Sequence, residues 1–257
     1  MAILHIDFFS RALGRSAQMD AILPDARGTA EKPWKTLYLL HGMTDDYTAW
    51  QRWTSIERYA EEYGIAVIMP DTRLGWYTDT AAGERYFSFV SDELIRISRR
   101  MFPSLSHQKE DTFVAGLSMG GYGAMKCALK KPETFCKAAS LSGALDIYGV
   151  TQLDPPLGEK GYWEDIFGPI EAIRGSENDV FAAAEALTAD RPELFMWCGT
   201  EDFLYTMNTA MRDHLMKLGY KLTYSESSGD HNWKYWDREI QNVLAWMLQG
   251  EEENACL

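Results

Sequence analysis

Asp111-Thr-Phe-Val-Ala-Gly116-Leu-Ser118-Met-Gly120-Gly-Tyr-Gly123-Ala-Met-Lys-Cys-Ala-Leu129 is the stretch that decides how this chain is read. A short apolar run of β type leads into Gly-Leu-Ser-Met-Gly, and a run of helix formers leads out of it. The order is strand, sharp turn, helix. In that setting a G-x-S-x-G turn holds its serine in strained backbone, with the hydroxyl projecting beyond the strand end. Small residues at 116, 120, 121 and 123 let helix and strand approach closely. Ser118 is therefore the candidate nucleophile. The competing reading is a glycine-rich turn whose serine only caps the helix.

Outward from this turn the chain keeps a regular rhythm. Residues 3–9 and 17–23 flank Gly14 and read as an opening antiparallel pair. Thr36–Leu40, Ile65–Met69, Phe113–Gly116, Phe135–Leu141, Glu193–Cys198 and Lys221–Glu226 read as strands. Between them, Ala49–Tyr63, Phe87–Arg100, the run after Ser118, Leu204–Leu218 and residues 232–249 have helical spacing. In the first of these the apolar positions are Trp53, Ile56, Tyr59 and Ala60, and Gly64 ends it. Ala26–Lys35 reads as a polar loop, and the tail from Glu251 as a frayed end. Short apolar strands without alternation, separated by helices, predict an α/β fold: a mostly parallel central sheet covered on both faces. Residues 144–190 break the rhythm with Pro155, Pro156, Pro169, Trp163 and many acids. They read as an insertion over the site, closed by a helix at Asp179–Leu187, within one domain spanning 1–257.

At 257 residues the chain can bury a large core. Its formal charge of −13 argues against a nucleic acid or an anionic membrane surface as partner. It has no run of about eighteen apolar residues to span a bilayer. The N-terminal stretch lacks a basic region and carries Asp7, so it does not read as a signal peptide. Cys127, Cys136, Cys198 and Cys256 form no C-x-x-C pair and no zinc spacing. The first three read as buried free thiols, which suits a reducing compartment, and the expected location is cytoplasmic. Neither a cofactor nor a metal is called for: H-E-x-x-H, G-x-G-x-x-G and P-loop patterns are all missing.

A serine hydroxyl needs a base, and the base needs a third group that holds its tautomer. In an α/β sheet these groups sit on loops at the carboxyl ends of strands, in the order Ser, acid, His. Of the five histidines, His5, His41 and His107 precede Ser118, and His214 falls mid-helix at a surface position. His231 follows the last strand in the loop Ser227-Ser-Gly-Asp-His-Asn-Trp233 and is the candidate base. The strand 193–198 ends in Gly199-Thr-Glu-Asp-Phe203, offering Glu201 and Asp202; Asp202, nearer the following helix, is favoured. Oxyanion donors are expected from the backbone N–H of Met119, just after the nucleophile, and of Met43, in the loop His41-Gly42-Met43. His41 itself reads as structural, bonding loop backbone.

With these residues in place the chain resembles the esterase D-like branch of the α/β-hydrolases, and within it the bacterial tributyrin esterases. The matching pieces are Leu39-Leu-His-Gly-Met43, Met69-Pro-Asp71 with Trp76-Tyr77, Gly116–Ala124, Cys198-Gly-Thr-Glu-Asp202, and Gly229-Asp-His-Asn-Trp233 with Tyr235-Trp236. The resemblance implies the α/β-hydrolase fold and a small-molecule ester as substrate. It implies Ser118, Asp202 and His231 as triad, with Met43 and Met119 as oxyanion donors, and hydrolysis of short-acyl esters through an acyl-enzyme. The variable segment 144–190, with Trp76, Tyr77 and Trp163, is then expected to shape the substrate pocket. Its aromatic surface also offers a place for a homo-oligomer to form.

Substrate does not follow from fold. The same branch includes acetyl and feruloyl esterases acting on plant-derived oligosaccharide esters, and S-formylglutathione hydrolases. The last commonly carry a histidine where Tyr122 stands here, which counts against that reading. A silent α/β-hydrolase scaffold is the non-enzymatic alternative.

Overall fold

The structure, a computed structural model, describes residues 1–25, 33–153 and 160–249. Most of the polar loop expected at 26–35, the Pro155-Pro156 pair, Cys256 and the tail from Glu251 lie outside the described residues.

The chain opens with a hairpin of β1 (Ala2–Ser10) and β2 (Arg15–Leu23). β3 (Thr36–Leu40) leads through α1 (Ala49–Trp53) and α2 (Ile56–Tyr63) to β4 (Ala66–Pro70). Next, α3 (Tyr86–Ser88) widens into a π turn at Phe89–Glu93 and continues as α4 (Leu94–Met101). The π turn sets the Glu93 carboxylate to accept from Arg11 N (2.9 Å), Ala12 N (3.0 Å) and Ser10 Oγ (2.5 Å), which ties the hairpin to this helix. β5 (Thr112–Leu117), α5 (Met119–Lys130) and β6 (Lys137–Leu141) follow. The segment after β6 carries α6 (Ile147–Val150), α7 (Tyr162–Phe167) and α8 (Val180–Ala186). β7 (Glu193–Gly199), α9 (Tyr205–Lys217), β8 (Leu222–Ser227) and α10 (Trp233–Leu248) complete the order.

The strands form one eight-stranded sheet in the order β1-β2-β4-β3-β5-β6-β7-β8. β1, β2 and β4 pair antiparallel, and β4 through β8 run parallel. Side chains alternate across the sheet and divide the core in two. Leu37, Leu39, Phe113, Ala115 and Leu117 face α1, α2 and α10, whereas Tyr38, Leu40 and Val114 face α4, α5, α8 and α9. This is the mostly parallel, three-layer α/β-hydrolase architecture that the resemblance implied.

The order in which strands are added reverses around β3, with β4 on one side of it and β5 on the other. The crossover from β3 to β4 passes over one face and that from β4 to β5 over the other, so the chain leaves the carboxyl ends of β3 and β5 on divergent paths. A crevice opens at such a switch point, and open α/β sheets place their ligands there. The residues that follow β3 and β5 are His41-Gly42-Met43 and Ser118.

Three expectations are corrected. The helix expected at 49–63 is broken at Thr54–Ser55, and Trp53 is 56% exposed rather than buried. Trp50 takes the core position instead, its indole N–H donating to Leu40 O at 3.0 Å. His214 is half-buried: its Nε2 lies 3.2 Å from Phe181 O and its ring packs on Phe181. Of the thiols, Cys127 and Cys198 are buried and Cys136 is half-buried; all three are free.

Candidate active site

Ser118 sits between β5 and α5 with φ +52° and ψ −118°, backbone that an L-residue occupies only under strain. The turn is clamped on both sides. Ser118 N donates to Leu141 O at 2.9 Å, and Ser118 O accepts from Ala144 N at 3.1 Å. Gly120 explains the close approach of α5: a Cβ there would stand 2.4 Å from Leu40 O and 2.6 Å from His41 O. The first turn of α5 therefore rests directly on the backbone that leads into His41-Gly42-Met43.

That loop is itself held by side chains. Thr72 N donates to His41 Nε2 at 3.1 Å, so Nε2 is the acceptor and Nδ1 carries the proton, which it donates to Gly42 O at 2.8 Å. Burial pulls the His41 pKa below its ordinary value, consistent with this neutral tautomer. The Tyr77 hydroxyl donates to His41 O at 2.9 Å. His41 is fully engaged with loop backbone, as its sequence position suggested. Met119 is the first residue of α5, and the N–H groups of a first helical turn have no acceptor within the helix. Met43 stands half-buried in the adjoining loop.

The loops after β7 and β8 meet in the same crevice. A Cβ at Gly199 would lie 2.1 Å from Gly229 O, so the two loops touch backbone to backbone. Thr200 N donates to Ser227 O and Glu201 N to Gly229 O, each at 3.0 Å. The Glu201 carboxylate accepts from Gly229 N at 2.5 Å and holds the loop from outside. Asp202 points inward, its side chain buried. Its Oδ1 accepts from Leu204 N at 2.8 Å and its Oδ2 from His231 Nδ1 at 2.8 Å. The other imidazole nitrogen, Nε2, lies 3.0 Å from Ser118 Oγ.

Three residues from three separate loops thus form one line of hydrogen bonds. With Nδ1–H given to the carboxylate, Nε2 presents its lone pair to the serine hydroxyl and can take its proton. Burial alone would raise the Asp202 pKa. The hydrogen bond and charge of His231, with Leu204 N–H and the Ser142 hydroxyl, outweigh it and hold the carboxyl below its usual range.

The whole chain is similar to known proteins. The family described as "Putative esterase" matches residues 10–247. The chain belongs to the esterase family. An acetyl esterase of Caldicellulosiruptor saccharolyticus is 33% identical over 96% of this chain and 98% of its own length. Among solved structures, the substrate-bound fluorophosphonate-binding serine hydrolase F (FphF) of Staphylococcus aureus superposes with a TM-score of 0.89. It is 35% identical, covering 96% of this chain and 98% of that one. The apoenzyme of an S-formylglutathione hydrolase (FrmB) from Staphylococcus aureus gives a TM-score of 0.85 at 33% identity, covering 96% and 98%. The protein is a carboxylic ester hydrolase.

The aromatic residues expected around the esterase site are packed together. Trp76 is 2% and Trp163 7% exposed, and their rings meet edge to face at 5.4 Å. Phe167 completes the cluster, and the Trp76 indole N–H donates to the Tyr162 hydroxyl at 2.9 Å. The indole N–H of Trp163 has no partner among the described residues. Tyr77 is wholly buried beneath the His41 loop and does not stand on an open wall.

Sequence reasoning gave no site role to two residues that pack around the His231–Asp202 pair. Trp236 sets its ring edge-on to the imidazole at 4.8 Å and donates its N–H to Ser142 Oγ at 3.1 Å. Ser142 is buried at φ +50° directly after β6, and its hydroxyl also faces the Asp202 carboxylate. Its position, a small polar residue at the carboxyl end of a strand, was the available signal. Among the described residues no group of three or more His, Cys, Asp or Glu side chains is placed to hold a metal ion. No helix among them is long and apolar enough to cross a membrane.

Proposed function

We propose that this esterase hydrolyses short-acyl esters, acetates foremost, through an acyl-enzyme on Ser118. The reading rests on one observation: Ser118 Oγ, the two ring nitrogens of His231 and Asp202 Oδ2 are joined by contacts of 3.0 and 2.8 Å. His231 takes the serine proton as Oγ attacks the ester carbonyl. The oxyanion that forms is met by the backbone N–H groups of Met43 and Met119. His231 then gives its proton to the departing alcohol. Water, deprotonated by the same imidazole, attacks the acyl-enzyme and releases the acid.

A small acyl group is favoured because Trp76 and Trp163 are packed against each other, leaving little of either ring free to receive a bulky acyl chain. The relationship to an acetyl esterase points the same way. A second reading, hydrolysis of S-formylglutathione, has the support of the FrmB likeness. It keeps the chemistry and changes the leaving group to a thiol.

Ser118→Ala tests the proposal. kcat on p-nitrophenyl acetate should fall about 10^4–10^6-fold with the fold intact. An unchanged rate would refute it. Comparing S-formylglutathione with acetate, butyrate and ferulate esters ranks the acyl groups.

A further inference from the structure

We infer that Phe203 forms the alcohol side of the active site and directs the enzyme toward esters of neutral apolar or aromatic alcohols. The inference rests on the acyl-transfer reading above and extends it to the leaving group.

The geometry of acyl transfer fixes where the alcohol must lie. The oxyanion turns toward the N–H groups of Met43 and Met119, and the departing oxygen must receive a proton from His231 Nε2. The alcohol therefore leaves alongside the imidazole. Two aromatic rings flank that imidazole. Trp236 is 4% exposed and committed to Ser142 through its N–H. Phe203 lies with its ring centroid 4.6 Å from that of His231, tilted by 55°, and is 63% exposed. It offers open apolar surface directly at the proton donor.

Phe203 cannot retreat into the core. Asp202 on one side is anchored to His231 and to Leu204 N–H, and Leu204 on the other side is 1% exposed and fills the core position itself. The backbone through 202–204 holds the phenyl ring in water at the rim. An apolar leaving group laid against it removes both surfaces from solvent without a reordering cost. The charges nearby select against an anionic alcohol. Glu201 and Asp230 are both exposed, one on the loop that carries Phe203 and one beside His231.

The test uses a set of acetates, so that every substrate yields the same acetyl-enzyme and differs only in its alcohol. kcat/KM is measured for methyl, n-butyl, benzyl and 4-carboxybenzyl acetate in the wild-type enzyme, Phe203→Ala and Phe203→Leu. In the wild type, benzyl acetate should exceed both methyl and 4-carboxybenzyl acetate. In Phe203→Ala the benzyl-to-methyl ratio should fall on the order of tenfold, the scale expected for losing part of a buried ring contact. Phe203→Leu should keep most of the ratio. A Phe203 that merely braces His231 would lower all four rates together and leave the ratios untouched, and that result overturns the inference. So does a wild-type enzyme that prefers the carboxylated alcohol. Ser118→Ala separates the two levels: activity surviving in that variant would sink the acyl-transfer reading itself. Ser118-dependent activity with unchanged ratios would sink the inference about Phe203 alone.

Discussion

Asp202→Asn is the sharpest perturbation of the proposed mechanism, because the structure dictates how the new amide must sit. Both carboxylate oxygens are committed, Oδ1 to Leu204 N–H and Oδ2 to His231 Nδ1, each at 2.8 Å. An asparagine keeps the Leu204 bond only by leaving its oxygen there, so its NH2 group faces the imidazole. That group has no lone pair to offer. Nδ1 must then become the acceptor, and the single ring proton moves to Nε2. There it faces the Ser118 hydroxyl at 3.0 Å, and the serine meets a donor instead of a base. In serine hydrolases this tautomer error costs about 10^4 in kcat, or about 5 kcal/mol of barrier, with the geometry intact.

The assay is initial-rate hydrolysis of p-nitrophenyl acetate at neutral pH, paired with the rate of labelling by a fluorophosphonate. Both should fall together, KM should change little, and thermal unfolding should report an intact fold. Glu201→Gln is the internal control. Glu201 lies outside the line and braces Gly229 N–H, so its loss should be far smaller. Asp202→Asn retaining kcat within tenfold of wild type would refute the reasoning. So would Glu201→Gln costing more than Asp202→Asn.

Gly199→Ala forces a Cβ to within 2.1 Å of Gly229 O, so the Asp202 and His231 loops must part. kcat should drop about 10^2-fold, the usual cost of misplacing a reacting group by about 1 Å, as read from steady-state kinetics. Tyr77→Phe removes the donor to the buried His41 carbonyl. It should cost about 1–3 kcal/mol of stability in denaturant titration, and lower kcat more than it raises KM if the loop serves the oxyanion. Lys126 bears on stability against pH. Its ammonium group is buried, bonded to Thr78 Oγ1 (2.5 Å) and Asn178 Oδ1 (2.6 Å), and burial lowers its pKa to about 7. Above that pH the unfolded chain holds a proton that the folded chain lacks, up to the usual lysine value, so stability rises as pH is raised through this window. Tm should climb by several degrees or more between about pH 7 and 9 in the wild type, and Lys126→Met should flatten that rise in a calorimetric series.

The parts of the fold legible in the sequence are those carried by local pattern. The strands of the parallel sheet are short apolar runs, and the turn around Ser118 announces itself through its glycines. The late loop position of His231 and the strand end before Asp202 follow from chain order. What local pattern missed depends on contacts between distant segments. Trp53 and Trp50 sit on the same short helix, and only the Leu40 carbonyl and the ring of Trp233, 5.0 Å from Trp50, decide which of them goes inside. The buried state of Tyr77 follows from the close approach of α5 to the loop after β4, where a Cβ at Gly123 would lie 2.4 Å from the tyrosine ring. Ser142 adopts positive φ because Ser142 N is drawn to Trp197 O at 2.8 Å across the sheet edge, while its side chain serves Trp236. The deciding contacts in each case come from segments distant in sequence.

This division separates the proposed chemistry from its specificity. The turn at Ser118 is clamped to Leu141 and Ala144, and the loops of Asp202 and His231 to each other, through main-chain hydrogen bonds. Backbone-held atoms need little reorganisation when charge develops, which is the condition for electrostatic stabilisation of a tetrahedral intermediate. The groups proposed to shape specificity belong elsewhere: Trp76 to the loop after β4, Trp163 to α7, and Phe203 to an exposed rim position beside His231. Substitutions there can reshape the acyl or alcohol side while Oγ, the imidazole and the carboxylate stay in place. One backbone frame can in this way serve relatives as different as an acetyl esterase and an S-formylglutathione hydrolase. The acyl and alcohol preferences of this esterase should then shift with rim substitutions independently of its rate of labelling by a fluorophosphonate.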